Sequence, residues 1–404
     1  MHSVLQSRGN VILASDLIGR ARALVPVLAA RAPQAERDRT VPKETIADLQ
    51  NAGLFQVLQP KRWGGHEMGL DVVNQIQMTL AEGCMSTAWV FAVLAVEPFL
   101  IAICDERMAK DVWTNDVSTL VSGTSAGGPD NKVTLVEGGF RVSGRWRFAS
   151  GSGHAKWTFL GNCFVKSPDG PTETWRMLLP KSDYKIVDTW YVIGLKATGS
   201  YDVIVEDAFV PAYRGIKQID LYNCTGPGQL TNTGPLYRVP FGQLFAMSVS
   251  TPLIGGLQGM LDAFLVYGSR RIARGIGPTA MDPVAQLVCA ETAITIDELK
   301  TMFARNAQRL SDYAERGEIP PLKERMAFKF QLSFAVERAS LLANRLFKAS
   351  GASGIYSEHS AFGRLLSDIN AGRQHVNNQF EPAGRNWGRV MLGGDESENK
   401  DMFL

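Results

Sequence analysis

Residues 144–157 of the chain read GRWRFASGSGHAKW and lie at the centre of a β-rich stretch. Short runs of β-branched and aromatic residues surround this segment, and turn residues such as Gly138 and Gly139 separate them. We expect strands at residues 132–136, 140–142, 157–164, 175–179 and 201–205. The pattern predicts a small β domain at residues 121–222, in which Ser150 follows the end of a strand.

Helical periodicity flanks the β-rich stretch on both sides. Before it, apolar residues recur every three or four positions from Leu17 to Leu28, and a mostly apolar run covers residues 70–100. After it, a connector rich in Gly, Pro and Asn precedes long helical patterns at residues 245–267, 283–316, 321–348 and 359–380. Long helices with an apolar face typically form a bundle. The sequence therefore predicts an α+β multidomain protein, with a helical domain at residues 1–120, the β domain at 121–222 and a helical bundle domain at 223–404.

Composition argues against several classes of function. The 404 residues are 45% hydrophobic, enough for a large core, and the charges nearly balance at +2, which argues against a nucleic-acid surface. The five cysteines are scattered and form no CxxC pair, which argues against a disulfide framework and against a metal site. We expect a cytoplasmic protein without a membrane partner, because no stretch reads as about 18–20 consecutive apolar residues and the N-terminus lacks a signal-peptide pattern.

The segment at residues 144–157 resembles a motif of the acyl-CoA dehydrogenases, G-R-K-x-W-I-T/S-N-G-x-x-A-D-W, without a gap. Residues 194–200 (GLKATGS) and 205–211 (VEDAFVP) are similar to two further motifs of that family, and residues 52–65 are similar to a fourth. The resemblance covers nearly the whole chain. It implies an acyl-CoA dehydrogenase-like fold with an N-terminal helical domain, a middle β-barrel or sandwich domain and a C-terminal four-helix bundle. In that family a flavin lies between the last two domains, and the last domain forms a homotetramer.

The chain departs from the acyl-CoA dehydrogenases at their catalytic base. Those enzymes use a carboxylate to remove a proton beside the thioester carbonyl while the flavin accepts hydride. Residues 367–376, SDINAGRQHV, align with the motif that carries this glutamate, and they place Val376 at the glutamate position with His375 before it. The family's alternative position for the base falls near Ala263. Neither Val376 nor Ala263 can accept a proton, so these residues do not support dehydrogenation of an acyl-CoA.

The same C-terminal stretch resembles the two-component flavin-dependent monooxygenases, a branch of the superfamily. The similar motifs are D-x-x-A-x-x-x-H at residues 368–375, S-G-x-x-H-x-x-W at 150–157 and S-T-A-W at 86–89. The resemblance implies the oxygenase component of a two-component (group D) enzyme, which binds reduced flavin (FADH2 or FMNH2) and forms a flavin C4a-hydroperoxide with O2. It would hydroxylate a small aromatic substrate, phenolic or indolic. A separate NAD(P)H:flavin reductase would consume NADH, because the chain shows no dinucleotide-binding fingerprint.

The resemblance also implies roles for individual residues at the flavin. Ser150 aligns with the residue beside flavin N5, where protection of an oxygen adduct requires a dry pocket and a hydrogen-bond partner. Phe148 would pack on the flavin ring. His375 would deprotonate or hydrogen-bond a phenol OH or an indole NH, since imidazole can act as a base near neutral pH. The other cofactor-binding candidates are Trp146, the loop serines Ser122 and Ser125, and Arg270, Arg271 and Arg274, one of which would reach the flavin phosphate.

Trp89, His154 and Glu97 are the candidates for contacts with the substrate. Glu97 occupies a place where phenol-hydroxylating relatives often carry a histidine, and a carboxylate would accept from an NH or a protonated amine. This favours an indole or amine-bearing substrate over a simple phenol. Three of the candidates also have a structural interpretation: Glu97 as a solvent-facing helix end, His154 as a tie between loop and backbone, and His375 as a satisfied histidine at a helix interface.

The sequence allows three alternatives to aromatic hydroxylation. One is N-hydroxylation of an amine, which relatives of this fold perform. Another is an acyl-CoA dehydrogenase whose base lies elsewhere in the chain. Such an enzyme would bind FAD tightly, and an acyl-CoA would bleach its flavin. The last is a non-catalytic tetrameric scaffold, which would not couple reduced flavin to oxygen.

Overall fold

Six helices form the first part of the chain in the computed structural model, which describes residues 12–166, 170–273, 277–356 and 361–399 together with Asp401 and Leu404. The first helix buries Leu17, Ala21 and Leu28, a stripe at helical spacing, and packs on the third helix. The six helices are α1 (Ala14–Asp38), α2 (Lys43–Asn51), α3 (Leu70–Gly83), α4 (Met85–Ala95), α5 (Glu97–Ile103) and α6 (Glu106–Trp113).

Two sheets follow and pack face to face as a sandwich. One sheet has the strand order β1-β5-β6-β9, and the other has the order β2-β4-β8-β7 with β3 paired to β4. Their facing side chains form a separate hydrophobic core that includes Phe140, Trp146, Leu160, Met177 and Val203. The strands are β1 (Val121–Thr124), β2 (Ala126–Gly127), β3 (Lys132–Val136), β4 (Gly139–Ala149), β5 (Trp157–Lys166), β6 (Thr172–Pro180), β7 (Lys185–Val187), β8 (Tyr201–Pro211) and β9 (Gly215–Lys217).

The rest of the chain is again helical, and its long helices pack on one another as a bundle. Local signals explain where a helix begins: Asp282 caps the ninth helix by accepting from the backbone N–H of Val284 at 2.9 Å, and Pro283 occupies its first turn. The elements are α7 (Gln218–Asn223), α8 (Phe241–Gly268), the short strands β10 (Ile272–Ala273) and β11 (Gly277–Pro278), α9 (Pro283–Glu315), α10 (Leu322–Ser350), α11 (Ala361–Gly372) and α12 (Phe380–Met391).

The helices before and after the sandwich share one hydrophobic core, which runs from Leu17 to Ile369. α8 lies at the centre of this core, and it contacts α3 and α4 on one side and α9, α10 and α11 on the other. A helix surrounded in this way is apolar on every face. The sandwich therefore sits against a single helical body.

Two segments reach the length and mean hydropathy of a membrane span, although polar residues interrupt the apolar run in both. Met85–Ile103 has 19 residues with a mean hydropathy of 1.9, and Phe241–Gly268 has 28 residues with a mean hydropathy of 1.3. Both segments are buried in the core, the first entirely and the second over 89% of its most apolar window. The first is also divided, because α4 ends at Ala95 and α5 begins at Glu97. Burial on all sides, as for the core helices of a globular protein, explains their composition.

Candidate active site

A cavity of about 1420 Å³ lies between the sandwich and the helical body. Its walls come from α4, α5, α8 and α10, from the sandwich strands, and from the segments around Trp190 and His375. Pockets of roughly 300–1,000 Å³ hold one drug-sized ligand. This cavity therefore has room for a tricyclic ring system together with a second aromatic molecule.

Three buried hydroxyl groups form a chain on the sandwich side of the cavity. Ser150 Oγ lies 2.7 Å from Ser200 Oγ, and Ser200 Oγ lies 2.6 Å from Thr198 Oγ1. Thr198 Oγ1 donates to the carbonyl oxygen of Leu195 at 2.9 Å, and Trp190 Nε1 donates to the same oxygen at 2.9 Å. Because each hydroxyl has a single proton, a chain that runs toward this carbonyl leaves the lone pairs of Ser150 Oγ for a donor in the cavity.

Two β-bulges shape the rim of the cavity. Phe148 in β4 has a φ of 63° and Asn162 in β5 has a φ of 50°, each at a shift of strand register. Left-handed backbone costs about 1–3 kcal/mol outside glycine and concentrates at functional sites. Phe148 is 54% exposed and meets the Trp190 ring edge to face at 6.0 Å, while Asn162 Nδ2 donates to the carbonyl oxygen of Ser125 at 2.7 Å. The bulges turn an aromatic ring and a backbone loop toward the opening.

His375 lines the cavity with only part of its surface exposed. Its ring contacts Trp89 at 5.7 Å and Phe245 at 5.9 Å between ring centroids. Its Nδ1 accepts from the backbone N–H of Asn377 at 3.2 Å, which assigns the proton of the neutral ring to Nε2. Burial, with a further contribution from the charge of Lys329, lowers the pKa of His375 to about 4. The imidazole is therefore neutral and offers an N–H donor near neutral pH.

Glu97 and Arg176 lie together at another end of the cavity, and each is 3% exposed. The Glu97 carboxyl lies across Gly123, where a Cβ would approach Glu97 Oε1 to 2.2 Å. Glu97 Oε2 is buried without a hydrogen-bond partner among the described residues. Burial raises the pKa of Glu97 to about 8 although the Arg176 charge opposes this. The interpretation of Glu97 as a solvent-facing residue is thus wrong.

The remaining sequence candidates divide between the cavity and its surroundings. Trp89 and Ser125 line the cavity with Ser150, Phe148, Glu97 and His375. Ser122 and Trp146 lie behind the wall: Ser122 Oγ donates to Thr158 Oγ1 at 3.0 Å, and Trp146 Nε1 donates to the carbonyl oxygen of Gly161 at 2.9 Å. His154 Nε2 lies 3.4 Å from Thr40 Oγ1 and does not line the cavity. Ser122 and Trp146 therefore support the wall from behind.

Of the arginines expected at the flavin phosphate, Arg270 and Arg271 do not line the cavity of this chain. Arg270 is exposed, and Arg271 Nη1 donates to the carbonyl oxygen of Ala349 at 3.2 Å on a surface away from the cavity. Arg274 lies outside the described residues. Within the described residues the cavity's basic side chains are Arg176 and Lys329 instead.

Sequence reasoning missed Arg176, Lys329 and the role of Asp368. Asp368 Oδ1 accepts from the backbone N–H of Leu195 at 2.6 Å and so ties the loop that carries Trp190 to α11. Lys329, nearly buried on α10, forms an ion pair with Asp401 beside the cavity. Two features of the sequence could have indicated these roles. Arg176 is a charged residue within an apolar run, and Asp368 is the aspartate of the D-x-x-A-x-x-x-H motif.

Asp368 makes the stability of the fold depend on pH. Burial raises the pKa of Asp368 to about 7, whereas an unfolded aspartate titrates near about 3.9. A raised carboxyl pKa contributes stability that is present at low pH and is lost as pH rises through the folded value. Asp368→Asn keeps the acceptor for Leu195 N–H and cannot ionise. We expect its melting temperature, relative to that of the parent, to be higher at about pH 8 than at about pH 5.

Thermal unfolding of both proteins at the two pH values measures this difference. Asp130→Asn, the same chemical change at an exposed turn, is the matched control. An Asp368→Asn effect that is the same at both pH values would contradict the buried, protonated carboxyl.

Comparison with known proteins finds relatives along most of the chain. Residues 247–380 match the family model described as acyl-CoA dehydrogenase, C-terminal domain. The chain is 34% identical over 367 residues to the flavin-dependent monooxygenase oxygenase subunit HsaA of Rhodococcus jostii (strain RHA1), covering 90% of this chain and 95% of that protein. It is 28% identical over 387 residues to the FADH(2)-dependent resorcinol hydroxylase, oxygenase component, of Rhizobium sp. (strain MTP-10005), covering 93% and 94%. The crystal structure of 3-HSA hydroxylase from Rhodococcus sp. RHA1 superposes with a TM-score of 0.91 at 31% identity, covering 96% of this chain and 99% of that chain.

Proposed function

This chain belongs to the oxygenase subunits of flavin-dependent monooxygenases, and we propose that its cavity brings an aromatic substrate to a reduced flavin held beside Ser150. The expected family, the acyl-CoA dehydrogenase-like fold, the monooxygenase function and the use of reduced flavin from a separate reductase are confirmed by the relatives. The observation that carries the proposal is that one cavity joins the Ser150 hydroxyl to a neutral imidazole between aromatic rings.

The residues on the sandwich side fit a reduced flavin. Such a flavin presents an N–H at N5, and Ser150 Oγ can accept it when the hydroxyl chain runs toward the carbonyl oxygen of Leu195. Phe148 and Trp190 offer aromatic surface at the rim, and the backbone near Ser125 passes the same wall. When bound, the reduced flavin activates O2 and supplies the oxygen atom that the substrate receives. Ser150 is therefore our candidate for holding the cofactor.

The helical side of the cavity would hold and orient the substrate ring. Trp89 and Phe245 provide apolar surfaces on either side of His375, and they exclude water from the ring between them. With Nδ1 engaged by Asn377, the Nε2–H of His375 would donate to an oxygen of the substrate. This role as a donor replaces the base that the sequence suggested. Donation to an oxygen favours its anionic form and makes the ring electron-rich.

The first experiment measures whether reduced flavin is held and coupled to a substrate. Reduced FMN and FAD are titrated into the protein without oxygen, and the complex is then mixed with O2 while peroxide and hydroxylated product are quantified. We expect slow reoxidation and little free peroxide when a hydroxylatable phenol is present. Ser150→Ala should weaken binding of reduced flavin by about three- to tenfold, the loss of one net hydrogen bond, and raise the peroxide yield.

Ser152→Ala, which removes a buried hydroxyl from the same loop outside the cavity, is the matched control. Immediate reoxidation of the parent protein with full release of peroxide for every aromatic substrate would refute the proposed function. If Ser150→Ala binds reduced flavin and couples it to hydroxylation as the parent does, Ser150 does not hold the cofactor.

His375 provides a second test, by substitution and by pH. His375→Ala should lower kcat/KM for hydroxylation by about ten- to a hundredfold, because a hydrogen bond to a charged oxygen is lost. His375→Gln, which retains a donor on a planar side chain, should recover part of that loss. Since the pKa of His375 is about 4, the imidazole stays neutral above about pH 5 and contributes no inflection near neutral pH.

The pH profile of kcat/KM for the parent and for His375→Gln measures this contribution. An inflection near about pH 6.5 that disappears in His375→Gln would identify a titrating imidazole and overturn the donor role.

We propose that the chain forms a homotetramer through its bundle. Exposed apolar side chains follow one another at helical spacing along α9 and α10, and large exposed apolar surface marks protein interfaces. The residues are Val284, Leu287, Ile294, Phe334 and Leu341. We expect native mass spectrometry to find a tetramer that Leu287→Glu with Leu341→Glu dissociates, while Leu135→Glu on the exposed strand β3 leaves it intact. A monomeric parent protein at micromolar concentration would refute this assembly.

A further inference from the structure

The Glu97 end of the cavity forms a second polar site, separate from Ser150 and His375. A row of aromatic rings connects it to His375: Phe245 lies 5.9 Å from the His375 ring, Phe241 lies 5.9 Å from Phe245, and the Arg176 guanidinium lies 5.1 Å from the Phe241 centroid. Phe245 lines the cavity and Phe241 lies behind its wall. A substrate whose ring lies beside His375 can therefore extend past Phe245 toward Arg176 and Glu97, which line the same cavity.

Burial of these two groups is costly for the fold. A buried guanidinium loses its hydration, and a buried polar atom without a partner costs about 1–3 kcal/mol. Here both side chains line a cavity rather than the packed core, and Glu97 Oε2 lacks a partner among the described residues. Arg176 is held in place by its Nε, which donates to Gln218 Oε1 at 3.2 Å. The arrangement is that of a preformed site for a polar group of a ligand.

The charge of this end is positive near neutral pH. A guanidinium retains its charge in proteins, whereas burial raises the pKa of Glu97 to about 8 and keeps that carboxyl largely protonated. Among the described residues, the other titratable groups that face the pair are the thiols of Cys104 and Cys163, and burial raises the pKa of both well above neutrality. They add no charge. An anion is thus favoured, with Arg176 and the Glu97 hydroxyl both able to donate to it.

We propose that Glu97 and Arg176 form a subsite for a carboxylate substituent of the aromatic substrate. The inference rests on the proposed function, because it assigns the ring of the same molecule to the space beside His375. It reverses the expectation of an amine-bearing substrate, since a protonated amine would meet the fixed charge of Arg176. The substrate class is then a hydroxylated aromatic acid whose carboxylate lies at the far end from the reacting ring.

The test measures binding of 3-(4-hydroxyphenyl)propanoate to the flavin-free protein by calorimetry, with the matching primary amide as the control ligand. We expect the acid to bind more tightly than the amide near about pH 6.5, and to lose about tenfold in affinity by about pH 9, where Glu97 is ionised and repels it. The affinity of the amide should not fall in this way. Because no flavin is present, the result does not depend on oxygen chemistry.

Two variants sharpen the assignment. Glu97→Gln keeps a donor and cannot ionise, so it should bind the acid like the parent near about pH 6.5 and lose the pH dependence. Arg176→Met should weaken binding of the acid by about ten- to a hundredfold and change binding of the amide less, provided that its melting temperature shows a folded protein. Where Arg176→Met does not fold, Glu97→Gln and the pH dependence of the parent still decide the question.

Several outcomes would overturn the subsite. They are equal and pH-independent affinity for the acid and the amide, no binding of the acid, or tighter binding of tyramine that Glu97→Gln abolishes. Each of these results leaves the reduced-flavin and peroxide measurements intact, so failure of the subsite is distinguishable from failure of the proposed function.

Discussion

The close approach of α8 to α3 is the contact on which the cavity depends. A Cβ at Gly255 would lie 2.1 Å from the carbonyl oxygen of Met78, and a Cβ at Gly259 would lie 2.5 Å from that of Glu82. Glycine at both positions therefore lets the backbones meet, and the helices on either side of the sandwich in the sequence become one body. Larger side chains here would separate α3 from α8 and displace everything that α8 positions.

α8 also fixes the segment that carries His375. Asn378 Nδ2 donates to the carbonyl oxygens of Val249 and Gly372 at 3.0 and 2.9 Å, and its Oδ1 accepts from Ser250 Oγ at 2.9 Å. This amide ties the turn after His375 to the middle of α8. On the opposite wall, Gly194 lies so close to the carbonyl oxygen of Ser367 that a Cβ would approach it to 2.0 Å. The Trp190 loop is therefore docked on α11, and both walls of the cavity are held by contacts far apart in sequence.

Local pattern was sufficient for most elements of the fold, because their determinants lie within a few residues. The strand expected at residues 132–136 is β3, and the helices expected at 283–316 and 321–348 are α9 and α10 within two residues at each end. The strand expected at 140–142 is only part of β4, since a bulge and the left-handed Phe148 interrupt the alternation of its side chains. The apolar run expected to be helical at residues 70–100 forms α3, α4 and α5, and burial on all sides makes its later part as apolar as a membrane span.

Motif resemblance located residues on several sides of the cavity but not its basic side chains. Ser150, Glu97 and His375 line it as expected, whereas the arginines at 270 and 271 lie elsewhere and Arg176 was not anticipated. A strand residue such as Arg176 gains its role from what α5 and α8 bring to it, and spacing along β6 carries no information about those partners. The same holds for protonation. Burial, and to a smaller extent the charge of Lys329, lowers the pKa of His375, and the residues responsible belong to other helices.

Burial thus sets the electrostatics of this cavity more than residue type does. His375, Glu97 and Asp368 would all be expected to carry or exchange charge near neutral pH, yet burial favours the neutral form of each. Arg176 keeps its charge, and Lys329 has its own partner in Asp401. The end of the cavity at Arg176 and Glu97 therefore favours an anion. The neutral imidazole of His375 at one end and the charge of Arg176 at the other would orient an aromatic ring. Neither group has to gain or lose a proton during turnover.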